Sequence, residues 1–239
     1  MAGKYLRGAL IEFTESFPLP IPNVIIFQYN PETMTHGWTP ATTNPATSTP
    51  GASGAATNPL AVTGDPQETF SFTLAMDASD MIADGDAIET GLATVSGIYT
   101  RLAALEMLLF PTAPPGGGLI GSISSALGIT SSPSGPTRQV PAAQLPTVLF
   151  IWGPGRIVPV RVTSLSITEK LYDSVLLNPT HAEAQIGLRV LTAQELPFVD
   201  GPLGTVAHMA SSYSQTLREA LALANLANAA ESIVGMLPV

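Results

Sequence analysis

The chain has 239 residues, of which 45% are hydrophobic and only 11% charged, with net charge −9 and no cysteine. A charged share far below the usual quarter leaves apolar area that has to be hidden, in part against other subunits. The acidic balance and scattered basic residues argue against nucleic acid as a partner, since a phosphate-binding face needs clustered Lys and Arg, and the missing thiols exclude a disulfide framework or a Cys-based metal site.

Residues 8–13 read as a first strand, followed by an extended connector carrying Pro18, Pro20 and Pro22. Residues 24–29 form the next strand, and the unbroken run Val24-Ile25-Ile26-Phe27 predicts burial on both faces. Asn30-Pro31 stops it, because proline has no N–H for a ladder, and the chain re-extends through Met34 and Trp38. Residues 40–65 are an Ala/Thr/Asn/Pro/Ser/Gly insertion, too poor in large apolar side chains to order itself. Residues 68–76 give the clearest strand, with Phe70, Phe72, Leu74 and Met76 on one face.

The acidic run Asp77, Asp80, Asp84, Asp86 and Glu89 lacks the ligand spacing of an EF-hand and reads as a solvated loop and helix start. Residues 91–110 predict one principal helix, with Leu92, Val95, Ile98 or Tyr99, Leu102, Leu105 and Leu109 as its stripe, ended by Pro111. Residues 112–146 are a second Gly/Ser/Pro-rich insertion. Its Gly116-Gly117-Gly118 run has no Lys-Ser/Thr to make a phosphate loop. Residues 147–152 and 156–167 predict a hairpin through Gly153-Pro154-Gly155, with Leu165 and Ile167 on the face of Arg161 and Thr163. Residues 169–177 continue or bridge it, and Asn178-Pro179 turns the chain. Residues 182–190 alternate as a half-buried antiparallel strand. Residues 205–236 are Ala- and Leu-rich and predict a helix with two stripes. Val206, Met209, Tyr213, Leu217, Leu221 and Ala224 make one, and Leu223, Leu226, Ala230 and Ile233 the other.

No catalytic constellation emerges. His36, His181 and His208 fall in separate elements without metal-ligand spacing, and there is no Gly-x-Ser-x-Gly elbow. The expectation is a protein that is not an enzyme and has no cofactor. Glu12 and Glu15 interrupt any signal-peptide core after Lys4 and Arg7, and no run of 18 apolar residues follows. The expected place of synthesis is the cytoplasm, with no membrane insertion.

Several short motifs occur in a telling order: Gly8-Ala9-Leu10-Ile11-Glu12-Phe13, then Ile26-Phe27-Gln28-Tyr29-Asn30-Pro31 with Trp38. Thr69-Phe70-Ser71-Phe72-Thr73-Leu74, Val148-Leu149-Phe150-Ile151-Trp152-Gly153 and Leu177-Asn178-Pro179 with Ala182-Glu183 follow. Together they resemble the tube-initiator baseplate proteins of contractile injection systems, the phage-tail-like particles of bacteria.

The resemblance implies a mainly β, tail-tube-like fold: an antiparallel barrel or split sandwich over residues 1–200 with one packed helix, then a helical extension at 201–239. It also implies a structural subunit that forms a hexameric ring joining the trimeric spike hub to the inner tube, beside sheath and baseplate wedge proteins. Such particles assemble in the bacterial cytoplasm, and some are released from the cell. Many relatives carry a C-terminal LysM module; the segment after Pro197 is too short and too helical for one, so a docking helix is expected in its place. The expected structural and interface residues are Phe27, Tyr29, Asn30, Pro31, Trp38, Trp152, Asn178, Pro179, Leu217 and Leu221. The alternatives are a bacteriophage tail-tube or baseplate protein, which shares the fold, and a β-barrel binding module for an apolar ligand.

Overall fold

The computed structural model describes residues 6–14, 21–41, 64–84, 87–111, 145–199 and 201–236. Most of the two insertions expected at 40–65 and 112–146 lies outside the described residues.

The described chain is mainly β. Its strands are β1 (Ala9–Thr14), β2 (Ile21–Ile26), β3 (Met34–Thr39), β4 (Gln67–Asp77), β5 (Val148–Ile151), β6 (Ile157–Tyr172) and β7 (Pro179–Val190). They form one antiparallel seven-stranded sheet in the order β2-β1-β5-β6-β7-β4-β3. No ladder joins β2 to β3, so of the expected barrel or split sandwich the closed barrel is not formed: the sheet is open.

The sheet is strongly curled. On a flat sheet, β5 and β4 would be separated by three strand spacings, about 14 Å. Yet the rings of Phe150 on β5 and Phe72 on β4 stack with centroids 5.5 Å apart. Phe27, just beyond β2, reaches Phe72 at 5.5 Å. Gln28 completes the approach: its Nε2 donates to the Asp77 carbonyl (2.9 Å) and its Oε1 accepts the Asp77 N–H (3.0 Å). The alternation along β4 places Phe70, Phe72, Leu74 and Met76 inside the curl, as the sequence predicts. Burying each such side chain contributes on the order of 1.5–3 kcal/mol.

The Val24–Phe27 run is not buried on both faces. Val24 and Ile26 are 46% and 50% exposed, while Ile25 packs on the core and Phe27 is buried in it. Among the described residues β2 is an edge strand, paired only with β1.

Two short helices replace the single principal helix: α2 (Ala87–Ser96) and α3 (Tyr99–Met107), after a first α1 (Ala78–Asp84). The break is Gly97, at φ +59°, a conformation that a side chain disfavours. A Cβ at Gly97 would also collide with the Pro179 carbonyl, which accepts the Ile98 N–H at 3.1 Å. The break turns Ile98, Leu102, Leu105 and Leu108 into the core and leaves Val95 65% exposed. Leu105 and Arg101 lie over the seam between the end of β2 and β4, where the Arg101 guanidinium donates to the Ile26 carbonyl (3.3 Å).

β6 carries a bulge between Val162 and Ser164. It adds one residue to the strand and so reverses the alternation. Leu165 and Ile167 therefore join Val158, Val160 and Val162 against the core, not the face of Arg161. Gly187 makes the bulge possible, because a Cβ there would run into the Ser164 hydroxyl.

A 3₁₀ turn (Leu196–Phe198) leads into α4 (Gly201–Met236), 36 residues long. The face it packs on the sheet is not the predicted stripe of large side chains. Gly204, Ala207, Ala210 and Ser214 are buried, while Met209, Tyr213 and Leu221 are 60%, 47% and 62% exposed. Small residues let the helix backbone approach closely enough for the Ser214 hydroxyl to donate to the Ile157 carbonyl (2.7 Å). Among the described residues, no helix is long and apolar enough to cross a membrane.

Candidate assembly surface

Three surface features hold side chains that the fold itself leaves unused or strained. The first is a clamp at the end of the curl where β3 finishes and β4 begins. Glu68 follows the inward parity of Phe70, so its carboxylate is only 3% exposed. A carboxylate taken from water needs close partners. Arg218, 150 residues later on α4, supplies one: its Nη2 donates to both carboxylate oxygens at 2.6 Å. His36 Nε2 lies 2.8 Å from Oε1 and stacks on Phe70. The Arg218 guanidinium also sits 4.8 Å over the Trp38 ring. The cluster offers no nucleophile. Its chemistry is an ion pair that fixes where α4 leaves the sheet.

Between this clamp and α4 runs a groove of about 270 Å³, lined by Trp38, Pro66, Glu68, Val190, Ser211 and Arg218. Sites for drug-sized apolar ligands are usually about 300–1,000 Å³ with mostly apolar walls. A smaller groove with paired charges on its wall does not favour the apolar-ligand reading.

A second ion pair secures the neighbouring corner. Arg189 on β7 holds Glu195 with bonds of 2.9 and 2.6 Å, and Glu195 also accepts from the Thr192 N–H and hydroxyl at 3.0 Å. The Arg189 hydrogen bonds, with those from Thr192, outweigh burial and push the Glu195 carboxyl down to about 2. The folded-state value lies below the unfolded one, so the stability from this site is fully present above the ordinary glutamate range. It is lost as pH falls toward 2. We expect about 2 kcal/mol, after discounting for its partial exposure, to disappear progressively between about pH 5.5 and about pH 1. Urea midpoints across that range should fall less steeply for Glu195→Gln than for the unaltered chain.

The second feature is the tip of the β6–β7 hairpin. Leu171, Tyr172, Val175, Leu176 and Leu177 are all exposed, from 54% to 81%. The tip has a defined conformation. Asp173 Oδ2 accepts the N–H groups of Val175 (3.0 Å) and Leu176 (2.8 Å), and the Asp173 N–H donates to the Asn178 carbonyl (2.8 Å). Those backbone donors hold the Asp173 carboxyl below its ordinary value. Leu171 and Leu177 adopt φ +53° and +57°, a region that costs a leucine about 1–2 kcal/mol. Glycine or asparagine is the ordinary choice at such positions, so two solvent-facing leucines there are a cost to the isolated chain.

The third feature is the far half of α4. From Arg218 to Leu226 every residue is exposed, Leu221, Leu223 and Leu226 included.

The residues singled out from sequence are dispersed over the molecule. Phe27 and Pro179 are buried within the chain, so they hold the fold and do not face a neighbour. Trp152 packs on Phe27 and Phe150, both at 6.3 Å. Asn30 pins the start of β1, accepting the Gly8 N–H (2.9 Å) and donating to the Leu6 carbonyl (2.8 Å); Pro31 beside it is half-buried. Asn178 donates to the Val95 carbonyl (2.7 Å), tying the hairpin base to α2. Tyr29 is exposed and bonds Asp80, Trp38 lies under Arg218, Leu217 is half-buried and Leu221 exposed.

Sequence reasoning missed Glu68, Arg218 and His36 as a unit, and it missed the hairpin leucines. A charged residue at an inward parity position of β4 was a usable signal for the first. Nothing in the sequence marked the second.

Compared with known proteins, the chain matches no family model and no curated protein.

Proposed function

We propose that the protein is a structural subunit of a contractile, phage-tail-like injection particle. In this reading it forms a hexameric ring at the baseplate, between the trimeric spike hub and the inner tube. The observation that carries the proposal is the β6–β7 tip: a defined turn, apolar and solvent-facing, with two leucines in a backbone region that disfavours them. Strain of this kind persists when the side chain is needed elsewhere. A neighbouring copy is the partner that a low-charge ring subunit provides, and β2 and β3, the edges of the sheet among the described residues, supply further backbone for such contacts. The ordered motifs of the sequence supply the choice of particle. Sheath, wedge, hub and tube proteins are the expected neighbours.

The mass of the purified full chain, with negative-stain images of the same sample, tests the reading. Closed six-fold rings are expected. A monomer at high concentration would remove its support.

A further inference from the structure

Resting on the ring reading above, we infer that the far half of α4 is a second subunit contact, in which this helix packs between the equivalent helices of its two neighbours. The near half is already committed: Gly204 lies against the Val199 carbonyl, Ala207 buries with Leu191 and Leu196, Ala210 is buried, and the Ser214 hydroxyl donates to the Ile157 carbonyl of β6. Among the described residues, Arg218, clamped to Glu68, is the last on α4 with a side-chain bond to the sheet. Beyond it the helix continues to Met236, and the described side chains through Leu226 have no cover.

Those side chains are apolar on two opposite sides. At about 100° per residue, Leu223 and Leu226 lie about 160° and about 140° from Leu221 around the axis. An amphipathic helix that meets one partner needs a single stripe. A helix apolar on two sides meets two partners, and the two contacts use different surfaces. That is the heterologous arrangement, which closes into a ring when the rotation allows.

The charge pattern selects another copy as the occupant. From residue 220 to residue 230 the sequence has no charged side chain, in a chain of net charge −9. Copies of so acidic a protein repel one another except where the meeting surface is neutral. A basic foreign partner would find no carboxylate in this stretch to pair with. The alanines at 220, 222 and 224 also permit close approach between helix backbones.

Rotational symmetry places equivalent residues at equal height along the ring axis. Leu221 of one copy then meets the Leu223 side of the next, never its own counterpart. Because the chain has no cysteine, introduced thiols report the contact without background. The double variant Leu221→Cys/Leu223→Cys, oxidised in the assembled full chain, is expected to give a ladder of cross-linked species up to the hexamer. Either single variant is expected to stay uncross-linked. Dimers from a single variant would overturn the inference, because they would show a symmetric pairing of like faces. Rings by negative stain with no ladder would overturn the helix contact and leave the ring reading standing. A monomeric preparation with no ladder would overturn both.

Discussion

Arg218→Ala is expected to cost about 2–3 kcal/mol of folding stability, read as a fall in urea midpoint at unchanged slope. The cost comes from what stays behind. The Glu68 carboxylate is 3% exposed and loses the guanidinium that meets both of its oxygens. Breaking a buried pair from one side usually costs about 3–5 kcal/mol; the lower figure reflects the Arg218 side chain, which is itself 44% exposed. Loss of its contact with the Trp38 ring contributes a further part, about 0.5–1 kcal/mol. The paired variant Glu68→Leu/Arg218→Leu should retain more stability than Arg218→Ala alone, since it leaves no stranded charge. If the single variant matches the unaltered chain, the clamp does not anchor α4.

Leu177→Gly is expected to move two measurements in opposite directions. The isolated subunit should be unchanged or more stable by roughly 0.5–1 kcal/mol, because glycine accepts φ +57° freely and offsets its own entropic cost. Ring formation should weaken, because each subunit contact loses a buried leucine worth about 1.5–3 kcal/mol. Leu176→Asp makes the same point more severely: the exposed site tolerates the carboxylate in the monomer, whereas burying it at every contact should abolish rings. Urea midpoints and sedimentation of the same preparations separate the two effects. A Leu177→Gly chain that loses subunit stability while its rings persist would show that the tip serves the fold alone.

The mainly β class and most strand positions were legible because alternation is local. β4 shows this best: Phe70 and Phe72 lie between β3 and β7, Leu74 and Met76 pair with β7, and all four have a single core to face. β2 misled because four apolar residues in a row suggest a central strand, while its rank in the sheet is decided by chain segments more than a hundred residues away. The principal helix splits at Gly97, whose positive φ and contact with the carbonyl of the distant Pro179 leave no room for a side chain. The bulge at Thr163 reversed the faces of β6, and only the partner Gly187 explains why it is tolerated.

For α4 the two stripes left open whether the large side chains pack on the chain itself or on a partner; close approach selected small residues for the buried face. The hidden site features share one cause. The Glu68–Arg218 clamp joins residues 150 apart, and the strain at Leu171 and Leu177 exists only in backbone angles. The first leaves only the inward parity of Glu68 on β4, and the second leaves no periodic trace.

The central claim is that this chain meets its own copies. The native mass of the unaltered full chain at high concentration tests it most directly. A closed hexamer is the predicted result; a single subunit mass over the whole concentration range would contradict the account.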